Sequence, residues 1–232
     1  MNPVKGNLLI FYYDLRQSFL IFWSILGFLL LVTFFINMNW PEGDFFFFIN
    51  FPVYIYLAIT AFISLKNYYP FSMGMGSTRR NFQRSMISGF IALAALSALT
   101  LNIAMRISER LSDAWGLNIG FTSLGQIDTV PNQFISVFWL DFTICLFLMA
   151  ITYAIACLHY RYGHLITYLS IAVIIMILII PGVNDLLNQL IEGFWQDNAL
   201  WYFSSLILIA CVFFGAAALI MRKAPLQSAT GK

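Results

Sequence analysis

The chain has 232 residues, 61% of them hydrophobic and only 9% charged, with a mean hydropathy of +0.83, whereas a soluble domain carries roughly a quarter charged residues. Its apolar residues fall in runs too long and unbroken for a water-soluble core, so lipid is the expected solvent. The formal net charge of +2 comes with no basic face interleaved with stacking aromatics, which excludes a nucleic-acid footprint.

In chain order, residues 1–17 mix a short apolar run with Lys5, Asp14 and Arg16. They predict an N-terminal amphipathic interfacial helix with Leu8, Leu9, Tyr12 and Leu15 on its apolar face; a frayed tail is the alternative. A six-helix transmembrane domain is expected over 18–221. Its spans are Ser18–Ile36, Phe45–Ser64, Met86–Met105, Phe134–Leu158, Leu165–Pro181 and Leu200–Met221, each near the roughly 20 apolar residues a bilayer crossing needs. Lipid offers the backbone no partners, which makes these runs helices. Apolarity at both odd and even positions over Ile171–Ile180 excludes barrel strands. The fold class is therefore all-α and polytopic.

Span two carries Pro52 after Asn50, which predicts a kink or a loosened first turn. In the connection that follows, Leu65–Ser85, Pro70, Gly74 and Gly76 supply turns and Ser77 and Thr78 can cap the next helix. Arg79, Arg80 and Arg84 make the connection basic, and Phe71, Met73, Met75 and Phe82 are expected to be exposed among them. An apolar and basic knob of this kind suits docking into a protein groove. Span three is rich in small residues (Ser85, Gly89, Ala92, Ala95, Ser97, Ala98), which suits close packing among other helices.

Beyond it, RISERLSDAW can prolong the third helix. Asp141 is the one acid inside a predicted span; it lines a substrate path or gate, or else lies nearer the outer interface. His159 and His164 flank Arg161 in the connection HYRYGH and, five residues apart, do not share a helix face. Cys145, Cys157 and Cys211 lie within or at the end of apolar spans without metal or disulfide spacing and read as small hydrophobes. Pro181–Ala199 has apolar residues at helical spacing and suits a short helix dipping into the outer interface. Residues 222–232 form a polar tail.

Orientation follows from the basic residues, because short loops rich in Lys and Arg stay cytoplasmic. With both termini inside, Lys5, Arg16, Lys66, Arg79, Arg80, Arg84, Arg161, Arg222, Lys223 and Lys232 fall on the cytoplasmic side and only Arg106 and Arg110 outside. No nucleophile and base, no HExxH, GxSxG or GxxxxGKS/T and no metal-ligand spacing is found in the sequence. The chain reads as a non-enzyme without a cofactor of its own.

FSMGMGSTRRNF resembles the loop between spans two and three of ABC-2 type transporter permeases, the small bacterial six-span membrane subunits of ABC exporters. The N-terminal stretch resembles that family's elbow helix, and Pro181–Ala199 its re-entrant outer hairpin before the last span. The resemblance implies an ATPase-coupling loop made of Phe71, Ser72, Met73, Gly74, Met75, Gly76, Ser77, Thr78, Arg79, Arg80 and Phe82. It implies ABC ATPase subunits as partners, carrying ATP and Mg. It also implies a second permease subunit, a copy or a relative, joined through the first and fifth spans, and a bacterial plasma-membrane location. The cargo would be amphipathic or apolar, such as a peptide, antibiotic or lipid. The alternatives are a non-transporting membrane anchor or sensor for a cytosolic partner, and an intramembrane enzyme.

Overall fold

The computed structural model describes residues 3–39, 45–116, 119–121, 133–182, 185, 188–189, 192, 199–222 and 224–225. The fold is all-α, with five long helices: α1 (Pro3–Asn39), α2 (Asn50–Gly74), α3 (Arg79–Trp115), α4 (Phe134–Ile179) and α5 (Ala199–Met221). Two three-residue strands, β1 (Phe45–Phe47) and β2 (Ile119–Phe121), pair in parallel with Phe45 opposite Ile119. The first residues expected in span two are thus strand, and the helix begins at Asn50. Most of the expected outer hairpin, Pro181–Ala199, lies outside the described residues.

Among the described residues four helices, α1, α3, α4 and α5, are long and apolar enough to cross a membrane, against the six spans expected. The difference has two sources. α2 is diluted by Asn50, Lys66, Asn67 and four tyrosines, and the predicted fourth and fifth spans fall on one element, α4. That element is interrupted at Gly163, whose φ of 83° and ψ of −176° are not helical; about 44 Å of helix precede it and about 24 Å follow at 1.5 Å per residue.

α1 likewise runs without a break through the boundary expected after Gln17. Its first turns pack on the bundle through Asn7, Phe11 and Leu15, which are buried, while Leu9 and Tyr12 of the expected apolar face are exposed. The reason is partner geometry. Positions 7, 11 and 15 form one i, i+4 stripe, and that stripe meets α3 where Gly89 leaves room. A Cβ on Gly89 would stand 2.7 Å from Cε1 of Phe11.

α3 is the central helix: half of its most apolar stretch is buried, against 11% for α1, as its small residues lead one to expect. Phe90 on α3 joins the other helices, with ring centroids 5.8 Å from Phe11, 5.0 Å from Tyr153 of α4 and 6.2 Å from Phe214 of α5. In lipid no hydrophobic drive holds helices together, so contacts of this kind and close backbone approach carry the packing. Gly89→Ala is therefore expected to lower the stability of the detergent-solubilised protein by about 1–3 kcal/mol, the usual range for overpacking. Phe11→Ala in the same chain should recover part of that loss. A neutral Gly89→Ala in a thermal melt would contradict this packing.

Positive charge is gathered at one end of the bundle. There Ser85 Oγ donates to the Val4 carbonyl (3.4 Å), Arg79 Nη1 to the Arg222 carbonyl (2.6 Å) and Arg161 Nη1 to the Ile220 carbonyl (2.6 Å). The start of α1, the end of α2, the start of α3, the middle of α4 and the end of α5 therefore meet, bringing Lys5, Lys66, Arg79, Arg80, Arg84, Arg161 and Arg222 to the same end. Arg106 lies at the opposite end, over the Phe134 ring at 5.5 Å.

Candidate functional site

At the basic end, α2 and α3 are joined by only Met75–Thr78. Pro70, expected to supply a turn, lies instead inside α2. The turn comes later, where Gly76 adopts φ 80°, a left-handed conformation that glycine takes without steric cost. Thr78 caps α3 as expected, its side chain accepting from Asn81 N at 3.2 Å. Arg79, Arg80 and Arg84 thus occupy the first turns of α3, stacked on the end of α2.

This turn is clamped from α1. Ser72 Oγ donates to Asn7 Oδ1 at 2.8 Å, and Asn7 Nδ2 donates to Ser77 Oγ at 3.0 Å, so a single amide grips both sides of the connection. Two turns further along α1, the Asp14 carboxylate accepts from the Tyr68 hydroxyl. Phe82 is buried, packed edge-on to Tyr69 at 5.3 Å.

The expected docking set therefore divides. Phe71 and Met75 are more than half exposed, and Gly74, Gly76, Thr78 and Arg80 are also at the surface. Met73, Ser77 and Arg79 are half-buried. Ser72 and Phe82 face inward: Ser72 is tied to Asn7, and Phe82, expected to be exposed, instead fills the core beneath the turn. What remains is a helix–turn–helix tip with two exposed apolar side chains, Phe71 and Met75, beside the exposed Arg80 and Arg84 at the start of α3.

Asp141 sits two turns into α4, 2% exposed. Its Oδ1 accepts from Asn50 Nδ2 (2.9 Å) and from the Tyr54 hydroxyl (2.8 Å), and Asn50 Nδ2 also reaches the Tyr54 oxygen at 3.2 Å. The carboxyl group is thus a tie between α2 and α4. The acid stands out in the sequence, whereas these partners do not. The available signal is the i, i+4 spacing of two polar residues, Asn50 and Tyr54, on one face of an apolar run. Asp141 does not line the apolar groove of about 740 Å³ between α1 and α3, whose walls include Leu8, Phe11, Phe19 and Leu93 with Arg16 among them.

His159 and His164 do come together, with ring centroids 4.3 Å apart, because Gly163 breaks the helix between them. Among the described residues no group of three or more His, Cys, Asp or Glu side chains could hold a metal ion. The three cysteines are free thiols, with Cys145 and Cys157 buried and Cys211 exposed. Comparison of the chain with protein-family models, with curated proteins and with solved structures finds no match.

Proposed function

We propose that this chain is the membrane-spanning subunit of an ATP-driven exporter, with the α2–α3 tip as the surface that a cytosolic ATPase grips. The observation that carries the reading is the tip itself: Phe71 and Met75 exposed on a turn whose base is held by Asn7, Ser72, Ser77 and Phe82. Water-exposed Phe and Met on a rigid mount, rimmed by cations, have the composition of interface hot spots. A mount that cannot yield can pass motion on as a rigid body.

In this reading the chain crosses the membrane six times with the basic end in the cytoplasm. The chain path supports that count. Arg161 is beside Ile220 at the basic end, whereas the start of α5 is beside the start of α4, with Trp139 Nε1 donating to Ser204 Oγ at 2.9 Å. The second part of α4, 164–179, therefore leaves the basic end, while α5 begins at the other. α2 makes a crossing of its own between Asn50 and the tip, about 37 Å at helical rise. The exposed apolar sides of α1 and of 164–180 (Leu20, Phe28, Leu31, Leu165, Met176) offer contact area for a second membrane subunit as well as for lipid. The cargo class in this reading is amphipathic or apolar.

The test is co-expression with the ATPase encoded in a neighbouring gene. Phe71→Ser with Met75→Ser is expected to cut complex recovery or stimulated ATP hydrolysis at least about tenfold, the scale of losing a hot spot. The buried base is untouched, so the membrane chain itself should accumulate normally. Unchanged complex and activity would remove the docking assignment. A complex that hydrolyses ATP but moves no amphipathic cargo across vesicles would favour a membrane anchor over a transporter.

A further inference from the structure

The basic end holds a second feature, beside the exposed tip and sharing its arginines: a cleft of about 600 Å³ between the first turns of α3 and the last turns of α5. Four guanidinium side chains line it, those of Arg79, Arg80, Arg84 and Arg222, and none of its lining residues is acidic. Like charges collected at one site repel each other unless an anion joins them. One internal contact is present, from Arg79 Nη1 to the Arg222 carbonyl, and it neutralises no charge.

An independent observation points the same way. Gln83 also lines the cleft and is only 6% exposed. Its Oε1 accepts from the Tyr153 hydroxyl at 3.0 Å, while its Nε2 has no hydrogen-bond partner among the described residues. A buried amide donor without an acceptor is costly, and because Gln83 lines the cleft, a small shift of its side chain would bring that donor to an anion's oxygen.

The cleft also has a direction. On α3, Arg79, Gln83 and Ile87 succeed one another at i, i+4 spacing; on α5, Arg222 is followed toward the helix middle by Ala218 and Gly215. The cationic end thus passes into an apolar wall along two helices long enough to cross a membrane. That wall is open at Gly215, where an added Cβ would meet nothing within 4 Å. A free phosphate would use only the cationic end. A phospholipid uses both, and basic pockets between membrane helices at the headgroup level are where acidic lipids bind.

We propose that this cleft binds an anionic glycerophospholipid. The arginines and the Gln83 amide hold its phosphate, and an acyl chain lies along Ile87, Ala218 and Gly215.

The experiment uses the purified full-length chain in neutral detergent, titrated with fluorescent phosphatidylglycerol or phosphatidylcholine, with no ATPase present, so that its failure is distinct from failure of the docking reading. Phosphatidylglycerol is expected to bind at least about tenfold more tightly. Arg80→Gln with Arg84→Gln should weaken it by about 30-fold, from roughly fivefold per basic residue near a headgroup. Gly215→Leu, which fills the apolar wall and leaves every cation in place, should weaken it several-fold. Equal binding of the two lipids, or an arginine variant that keeps the preference, would overturn the proposal. Should the arginine variant fail to fold, the wild-type preference and Gly215→Leu decide. Displacement of phosphatidylglycerol by millimolar inorganic phosphate, with Gly215→Leu binding as well as wild type, would make the site one for free anions and overturn the lipid assignment.

Discussion

Gly163→Val is expected to lower the stability of the solubilised chain by about 1–3 kcal/mol, the usual cost of forcing a side-chain-bearing residue into a backbone region that is essentially glycine-only. Gly163 has φ 83° and ψ −176°, where a Cβ collides with its own backbone, and any L residue there has to leave that conformation or strain it. Leaving it has long-range consequences. Gly163 lies two residues beyond Arg161, whose guanidinium reaches the Ile220 carbonyl, and between the contacting rings of His159 and His164. Straightening α4 at this point would carry 164–179 away from its place and break the ring contact. Against a total stability of some 5–15 kcal/mol, the low end of the loss is a shifted melt and the high end is failure to accumulate.

A second glycine provides the control. Gly116 caps α3 at φ 62° and ψ 35°, in the left-handed helical region, which asparagine also visits. Gly116→Asn should therefore cost under about 1 kcal/mol, whereas Gly163→Asn should be as damaging as alanine or valine, because the conformation at 163 is outside that region. Thermal melts of the four variants separate the cases. Equal tolerance at both sites would show that α4 has no obligatory break.

These two glycines mark the limit of what the sequence makes legible. Apolarity and charge are local signals, so the all-α class, the end of α5 at Met221, the start of α4 at Phe134, the Thr78 cap and the extension of α3 to Trp115 can each be read from a short window of residues. Which way a side chain faces is not a local signal. Phe82 reads as part of an exposed knob because Arg79, Arg80 and Arg84 surround it in sequence. On the helix, though, it points about 160° away from Arg80 and Arg84, toward Tyr69 and the core. The same holds for Asn7, which nothing in its own neighbourhood distinguishes and which nevertheless fastens the α2–α3 turn from 65 and 70 residues away. Pro70 shows a different competition. Its ring disfavours a helix interior, yet Tyr69 and Ser72 on either side of it are buried against α3 and α1, and that packing outweighs the local cost.

Asp141 combines both kinds of information, and the expected behaviour of its variants separates packing from transport. Removing the carboxyl group in Asp141→Ala takes away the acceptor shared by Asn50 and Tyr54. Hydrogen bonds between membrane helices contribute only about 0.6–1.7 kcal/mol each, so this loss should be moderate, about 1–3 kcal/mol for the pair together with the desolvated donors. Asp141→Asn keeps an oxygen in the place of Oδ1 and should stay within about 1 kcal/mol of wild type. Asn50→Asp is the severe case: it sets a second carboxyl group about 2.9 Å from the first, converts a donor into an acceptor and leaves Tyr54 as the shared donor of this trio. A buried charge with its partner removed costs about 3–5 kcal/mol, which places Asn50→Asp well below Asn50→Ala in stability. On the exporter reading proposed above, the same variants also test function. If Asp141 only ties α2 to α4, Asp141→Asn exports cargo at the wild-type rate when assembled with its ATPase. A stable Asp141→Asn chain that assembles and hydrolyses ATP but moves no cargo would instead assign the carboxyl group to the transport path.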